Sequence, residues 1–129
     1  MNGRILMIDD DEDLHRAIGR AAEKAGYEVV HATDGGAGLA LAAAERVDLI
    51  LLDIGMPAMD GRDVLTRLKQ NPATSTIPVL VQSGRTAQLD RHLVLGLGAD
   101  DFVDKPMEPR LLLAKIGRLI ARARGGPLP

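Results

Sequence analysis

Two carboxylates, Asp9 and Asp10, follow the apolar run RILMI at 4–8, and a third, Asp53, follows LILL at 49–52. Short apolar runs of this kind form buried strands, so each acid stands where a strand leaves the sheet. Ser83, at the end of IPVLVQS, and Lys105, directly after DDFVD, occupy the same kind of place. In open α/β sheets ligands sit beyond the carboxyl ends of the strands, where strand order reverses. Carboxylates gathered there repel, and one must hold a proton unless a cation lies among them. A hard divalent ion, Mg²⁺ or the similar Mn²⁺, suits such oxygen donors, and no His or Cys cluster points to a softer metal. A carboxylate beside that ion can attack phosphorus while a Lys and a hydroxyl neutralise the transferring oxygens. The chemistry read from these residues is an aspartyl phosphate.

Each residue also has a plainer role. Asp11, Glu12 and Asp13 complete a run of five acids before a helix and are read as cap and macrodipole partners. Taken singly, Ser83 is a turn residue and Lys105 a solvated charge. Their joint appearance at strand ends is what argues for a site.

The elements that must position them alternate in kind. RILMI (4–8), YEVVHA (27–32), VDLILLD (47–53), IPVLVQS (77–83) and DDFVD (100–104) are short and β-rich, giving five strands. Helical spacing of apolar residues marks 12–26, 35–45, 61–71, 86–98 and 108–124, giving five helices. Acids mark the starts of the first and third helices, and Gly26 and the pair Asn71-Pro72 mark stops. The second helix is the weakest, because Gly35, Gly36 and Gly38 each cost about 1 kcal/mol relative to Ala. Such alternation predicts an α/β fold: a doubly wound five-stranded parallel sheet covered by helices on both faces. LILL is continuously apolar because a central parallel strand is covered on both sides.

The 129 residues fit one domain, able to bury roughly two-thirds of the surface its unfolded chain exposes. Aromatics supply 2% of residues, so the core is built from Leu, Ile, Val, Ala and Met. A net charge of −2 gives no chain-wide field for nucleic acid or an anionic membrane. There is no cysteine for disulfides or thiolate chemistry, no signal-like start, and no apolar run near the ~20 residues of a membrane span. A cytoplasmic protein is expected, with its domain at 1–123 and 124–129 as a tail or the start of a linker.

Four stretches in order resemble the response regulator receiver domain of two-component signalling, over residues 4 to about 123. ILMIDDDEDLHR resembles its acidic-pair motif, LLDIGMPAMDG its phosphoacceptor motif, IPVLVQSG its hydroxyl position, and GADDFVDKPMEP its aromatic and Lys-Pro positions. The resemblance implies a flavodoxin-like sheet of order 2-1-3-4-5. It implies that Asp53 is phosphorylated and that Asp10, Asp53 and the backbone carbonyl of Gly55 ligate Mg²⁺, with Asp9 acting mostly through water. Pro57 and Gly61 would shape the loop, and Lys105 would pair with the phosphoryl oxygens next to a cis bond to Pro106. On phosphorylation Ser83 would move to the phosphoryl group and Phe102 turn inward, changing the face of the fourth helix, fifth strand and fifth helix. The phosphodonor would be a sensor histidine kinase or phosphotransfer protein. The same face would serve homodimers and partners, with no direct nucleic acid or membrane binding by this chain.

The chain departs from that pattern at three places. Position 55 is Gly, so no side chain shields the phosphorus; position 84 is Gly where Ala is commoner; position 85 is Arg. The expectation is that Gly55 opens the path of the hydrolytic water and Arg85 partly closes it, so Arg85→Ala should change the dephosphorylation rate. Phe102 lacks the hydroxyl of the commoner Tyr, leaving packing to carry its signal.

Other signals carry less. DGGAG after the second strand lacks the Lys-Ser/Thr ending of a phosphate loop. His15, His31 and His92 do not fall at metal-ligand spacing and read as surface or packing residues. The basic residues of the last helix, Arg110, Lys115, Arg118, Arg122 and Arg124, read first as a solvated face. The competing enzyme is a phosphatase of the haloacid dehalogenase type, which needs a general-acid Asp two residues beyond the nucleophile; Gly55 stands there. A receiver-like interaction module without phosphorylation is opposed by the presence of Asp9, Asp10, Asp53, Ser83 and Lys105. The resemblance also fits a receiver cut from a hybrid histidine kinase or from a longer DNA-binding regulator.

Overall fold

The computed structural model describes residues 2–57, 60–84 and 91–125. Along the chain come β1 (Gly3–Ile8), α1 (Glu12–Lys24), β2 (Tyr27–Ala32), α2 (Gly35–Ala44), β3 (Leu49–Asp53), α3 (Gly61–Gln70), β4 (Val79–Ser83), α4 (Arg91–Gly96), β5 (Asp101–Asp104) and α5 (Pro109–Ala123). The strands form one parallel sheet in the order β2-β1-β3-β4-β5. The five-and-five alternation and the strand order both match expectation.

Parity along each strand sorts the core into two layers. Ile5 and Met7 of β1, Leu49 and Leu51 of β3, Leu80 of β4 and Val103 of β5 pack with Ile18 and Ala22 of α1 and with Leu112, Ile116 and Leu119 of α5. The intervening residues, among them Leu6, Ile8, Ile50, Leu52, Val79, Val81 and Phe102, pack against α2, α3 and α4. Leu49 to Leu52 are completely buried, and each contributes about 1.5–3 kcal/mol by leaving water.

Strands β3 and β4 each begin two residues later than expected. The Arg4 N–H donates to Asp48 Oδ2 at 2.8 Å, so Asp48 caps the sheet edge instead of joining the strand. Pro78 has no N–H to offer a ladder, and β4 opens where the Val79 N–H donates to Asp100 Oδ2 at 2.8 Å. The helix starts follow capping chemistry: Asp11, Asp34 and Asp60 accept from the backbone N–H groups of Leu14, Ala37 and Arg62. Asp34 explains how the glycine-rich α2 forms, and Gly38 has a packing reason, since a Cβ there would lie 2.5 Å from Ile8 Cδ1. Gly26, at φ +89°, turns the chain out of α1 into β2. The fourth helix, expected over 86–98, is described only from Arg91, and it stops at Gly96, just before Gly98 at φ +110°.

Candidate functional site

The two-layer parity places the site. Asp9, Asp53 and Lys105 continue the α1/α5 side of β1, β3 and β5, whereas Ser83 and Phe102 lie on the α3/α4 side.

At the carboxyl rim of the sheet Asp9 is fully buried and Asp53 is 5% exposed. Lys105 Nζ lies 2.7 Å from Asp9 Oδ2 and 3.2 Å from Asp53 Oδ2, bridging both acids. Asp9 Oδ1 accepts the Asp11 N–H at 2.9 Å, and Asp53 Oδ1 accepts the Gly55 N–H at 2.9 Å. Burial pushes the Asp9 carboxyl above the usual carboxylate range, and the Asp53 charge adds to this against the opposing Lys105 and Asp11 hydrogen bonds. Burial by itself would lower Lys105, but hydrogen bonding and attraction from Asp9, and then Asp53, raise it.

Among the described residues one group offers several metal-ligand oxygens together: atoms of Asp9, Asp10 and Asp53 lie within 4.8 Å of one another. Asp10 is exposed, so the cluster opens to solvent. The donor set is all oxygen, and among the described residues the cation that pairs with Asp9 and Asp53 is the Lys105 ammonium. A hard divalent ion therefore fits by both ligand type and charge.

The remaining expected residues fall around this cluster. Ser83 is buried, with its carbonyl accepting the Lys105 N–H at 2.7 Å. The Lys105-Pro106 peptide is cis. Phe102 is buried, with the Arg91 guanidinium 5.0 Å from its ring centroid, and Arg91 also pairs with Asp104 at 2.9 Å. Gly55 is exposed, and a Cβ at Gly84 would meet nothing within 4 Å. Pro57 is exposed at the loop, and Gly61 is required there, since a Cβ would lie 2.4 Å from Ile54 Cα. Arg85 lies outside the described residues.

Two features were not expected. Gln82, 3% exposed, donates from Nε2 to Asp9 Oδ2 at 3.2 Å. Parity could have found it, because Gln82 is the β4 register partner of Asp53. His15 is buried, with Nε2 2.7 Å from the Asp9 carbonyl and Nδ1 2.6 Å from His31 Nδ1. A carbonyl only accepts, so His15 carries its proton on Nε2, and in the neutral pair His31 donates to His15. His15 is thus a packing residue, as read, and one that also braces the Asp9 backbone.

A family model described as response regulator receiver domain matches residues 5–117. This chain belongs to the response regulator receiver domain family. The receiver is 36% identical over 123 residues to the alkaline phosphatase synthesis transcriptional regulatory protein PhoP of Bacillus subtilis, covering 95% of this chain and 50% of that one. It is 39% identical over 120 residues to the transcriptional regulatory protein CpxR of Escherichia coli, covering 93% and 50%. The receiver thus spans about half the length of these curated relatives. Among solved structures it matches a CheY-like response regulator receiver domain protein from Methanospirillum hungatei, with TM-score 0.88, 31% identity, and coverage of 95% of this chain and 97% of that one. It also matches the signal receiver domain of a signal transduction histidine kinase from Syntrophus aciditrophicus, with TM-score 0.83, 32% identity, and coverage of 93% and 91%. No helix among the receiver's described residues is long and apolar enough to cross a membrane.

Proposed function

We propose that this receiver accepts a phosphoryl group on Asp53, with a sensor histidine kinase or phosphotransfer protein as donor, and that it promotes both the transfer and its later hydrolysis. The observation that carries this reading is Lys105 bridging the Asp9 and Asp53 carboxylates beside Asp10. The Gly55 N–H holds Asp53 Oδ1, leaving Oδ2, which faces Lys105, as the nucleophile. Oδ2 forms the new bond to phosphorus while the bond from phosphorus to the donor's leaving group breaks, the pair of electrons departing with that group. Lys105 then neutralises the phosphoryl oxygens. Asp9, Asp10, Asp53 and the Gly55 carbonyl would hold Mg²⁺ or Mn²⁺. When bound, that ion supplies charge neutralisation among the acids and at the phosphoryl oxygens. Exposed Gly55 and the open space at Gly84 leave a route for hydrolytic water, which favours a short-lived phosphoryl group.

Ser83 and Phe102 would carry the change to the α4–β5–α5 face. Leu93, Leu95 and Leu111 are exposed in its two helices, where Lys115 pairs with Asp101 at 3.0 Å, and this supports homodimer formation there. The likeness to transcriptional regulatory proteins supports an output in transcription control, and the likeness to a histidine kinase receiver supports the hybrid-kinase alternative. The deciding experiment supplies Mg²⁺ with a small acyl phosphate or beryllofluoride to wild type and Asp53→Asn. Uptake and a spectral change are expected in wild type alone; identical responses would sink the reading.

A further inference from the structure

We propose that Gln82 is a positioning residue of this site: its buried amide holds the Asp9 carboxylate in place when Lys105 turns from Asp9 to the phosphoryl group. The inference rests on the aspartyl-phosphate reading above. On the α1/α5 side of the sheet, the strand residues below the rim around Gln82 are apolar, with Leu80, Leu51 and Val103 all buried. An amide buried among them costs free energy unless hydrogen-bonded, and Gln82 Nε2 donates to Asp9 Oδ2 at 3.2 Å.

That oxygen is shared. Asp9 Oδ2 also accepts from Lys105 Nζ at 2.7 Å, while Oδ1 is held by the Asp11 N–H. Asp9 is 0% exposed, so its carboxylate depends first on donors from the protein. In the cavity beside Gln82, Leu14, Ile18, Met107 and Leu112 offer no side-chain donor, and Lys105 is the lining residue besides Gln82 whose side chain donates. When Lys105 neutralises phosphoryl oxygens on Asp53 it must loosen its hold on Asp9. Without Gln82, Asp9 Oδ2 would then keep no hydrogen-bond donor among the described residues, and a buried carboxylate short of a donor is costly. With Gln82 one neutral donor remains, and the carboxylate keeps its orientation toward the other acids. Gln82 therefore lowers the cost of moving Lys105 and fixes the shape of the cation pocket.

Gln82→Met keeps the length and removes the donor, whereas Gln82→Asn keeps the amide but withdraws it from Asp9. Both are compared with wild type and Asp53→Asn for Mg²⁺ dissociation constant by titration of amide resonances, phosphorylation rate by a small acyl phosphate at saturating Mg²⁺, and Tm. In both Gln82 variants the Mg²⁺ constant should rise and the saturated rate fall, each about threefold to tenfold. Gln82→Met should hold or raise its Tm, since a polar group leaves the core. Constants and rates within about twofold of wild type for Gln82→Met would overturn the inference, as would an Asn variant that matches wild type. A fall in Tm alone would make Gln82 a space-filler and overturn it too. If wild type takes up no phosphoryl group, the aspartyl-phosphate reading fails instead, and the Mg²⁺ constants still decide the role of Gln82.

Discussion

Lys105 Nζ sits 2.7 Å from Asp9 Oδ2 and 3.2 Å from Asp53 Oδ2, so one ammonium serves two acids that are nearly or fully buried. It occupies the electrostatic role that a divalent cation would fill. Lys105→Met should therefore act in opposite directions on two measurements. The free protein should lose about 3 kcal/mol in urea unfolding, because the buried charges are left unpaired. Mg²⁺ should bind more tightly, by roughly tenfold for each 1.4 kcal/mol of removed competition. Weaker Mg²⁺ binding in that variant would contradict the competition.

Asp9 makes the converse case. Its folded pKa is raised, so its interactions favour the fold below the unfolded value and this contribution is lost as pH rises through the folded value. At neutral pH the charge is a burden. Asp9→Asn should raise the Tm of the metal-free protein by a few degrees, about 1 kcal/mol, while abolishing the gain in Tm that Mg²⁺ gives wild type. Calorimetry with and without Mg²⁺ reads both.

The histidine pair predicts an acid-side loss of stability. Burial and the neighbouring His15 lower the His31 pKa, against a weaker pull from Glu23. Below about pH 6.5 the unfolded chain takes up this proton before the fold does, so stability falls as pH drops from there toward the depressed folded value. It is fully present above pH 6.5. A Tm profile from pH 7.5 to 5 should slope in wild type and flatten in His31→Gln; parallel profiles would assign the slope to other groups.

Gly61 ties a glycine to the chemistry. A Cβ there would lie 2.4 Å from Ile54 Cα and 2.9 Å from the Asp53 carbonyl, both backbone atoms that cannot swing aside. Gly61→Ala should cost about 1–3 kcal/mol and slow phosphorylation by displacing Asp53. A variant that loses stability yet keeps the wild-type rate at saturating Mg²⁺ would show that the loop moves without the nucleophile.

Much of this was legible in the residues. The apolar runs marked five strands because parallel strands covered on both faces need them, and the strand-end rule picked out Asp9, Asp10, Asp53, Ser83 and Lys105. Strand order came with the family resemblance, since periodicity says nothing of which strands are neighbours. Gln82 is the polar residue that follows the apolar start of β4. Its meaning depends on the register that pairs it with Asp53, and register is a long-range property. The glycines after Asp34 make its helix the weakest of the five by propensity, and the cap that offsets them shows only in the hydrogen bond to Ala37. The contact of His15 with the Asp9 carbonyl needed the fold of α1 back over β1, which no spacing rule encodes.

Gln82 and Ser83 are consecutive residues whose side chains point to opposite layers of the molecule. The first touches Asp9, in the acid cluster beside the proposed phosphoacceptor Asp53; the second lies in the layer that holds Phe102 beneath Arg91. On the proposed reading, the step from the acid cluster to the layer that holds Phe102 is therefore one peptide unit. A one-residue slip of that strand would exchange the two side chains and leave both compartments speaking to the wrong audience.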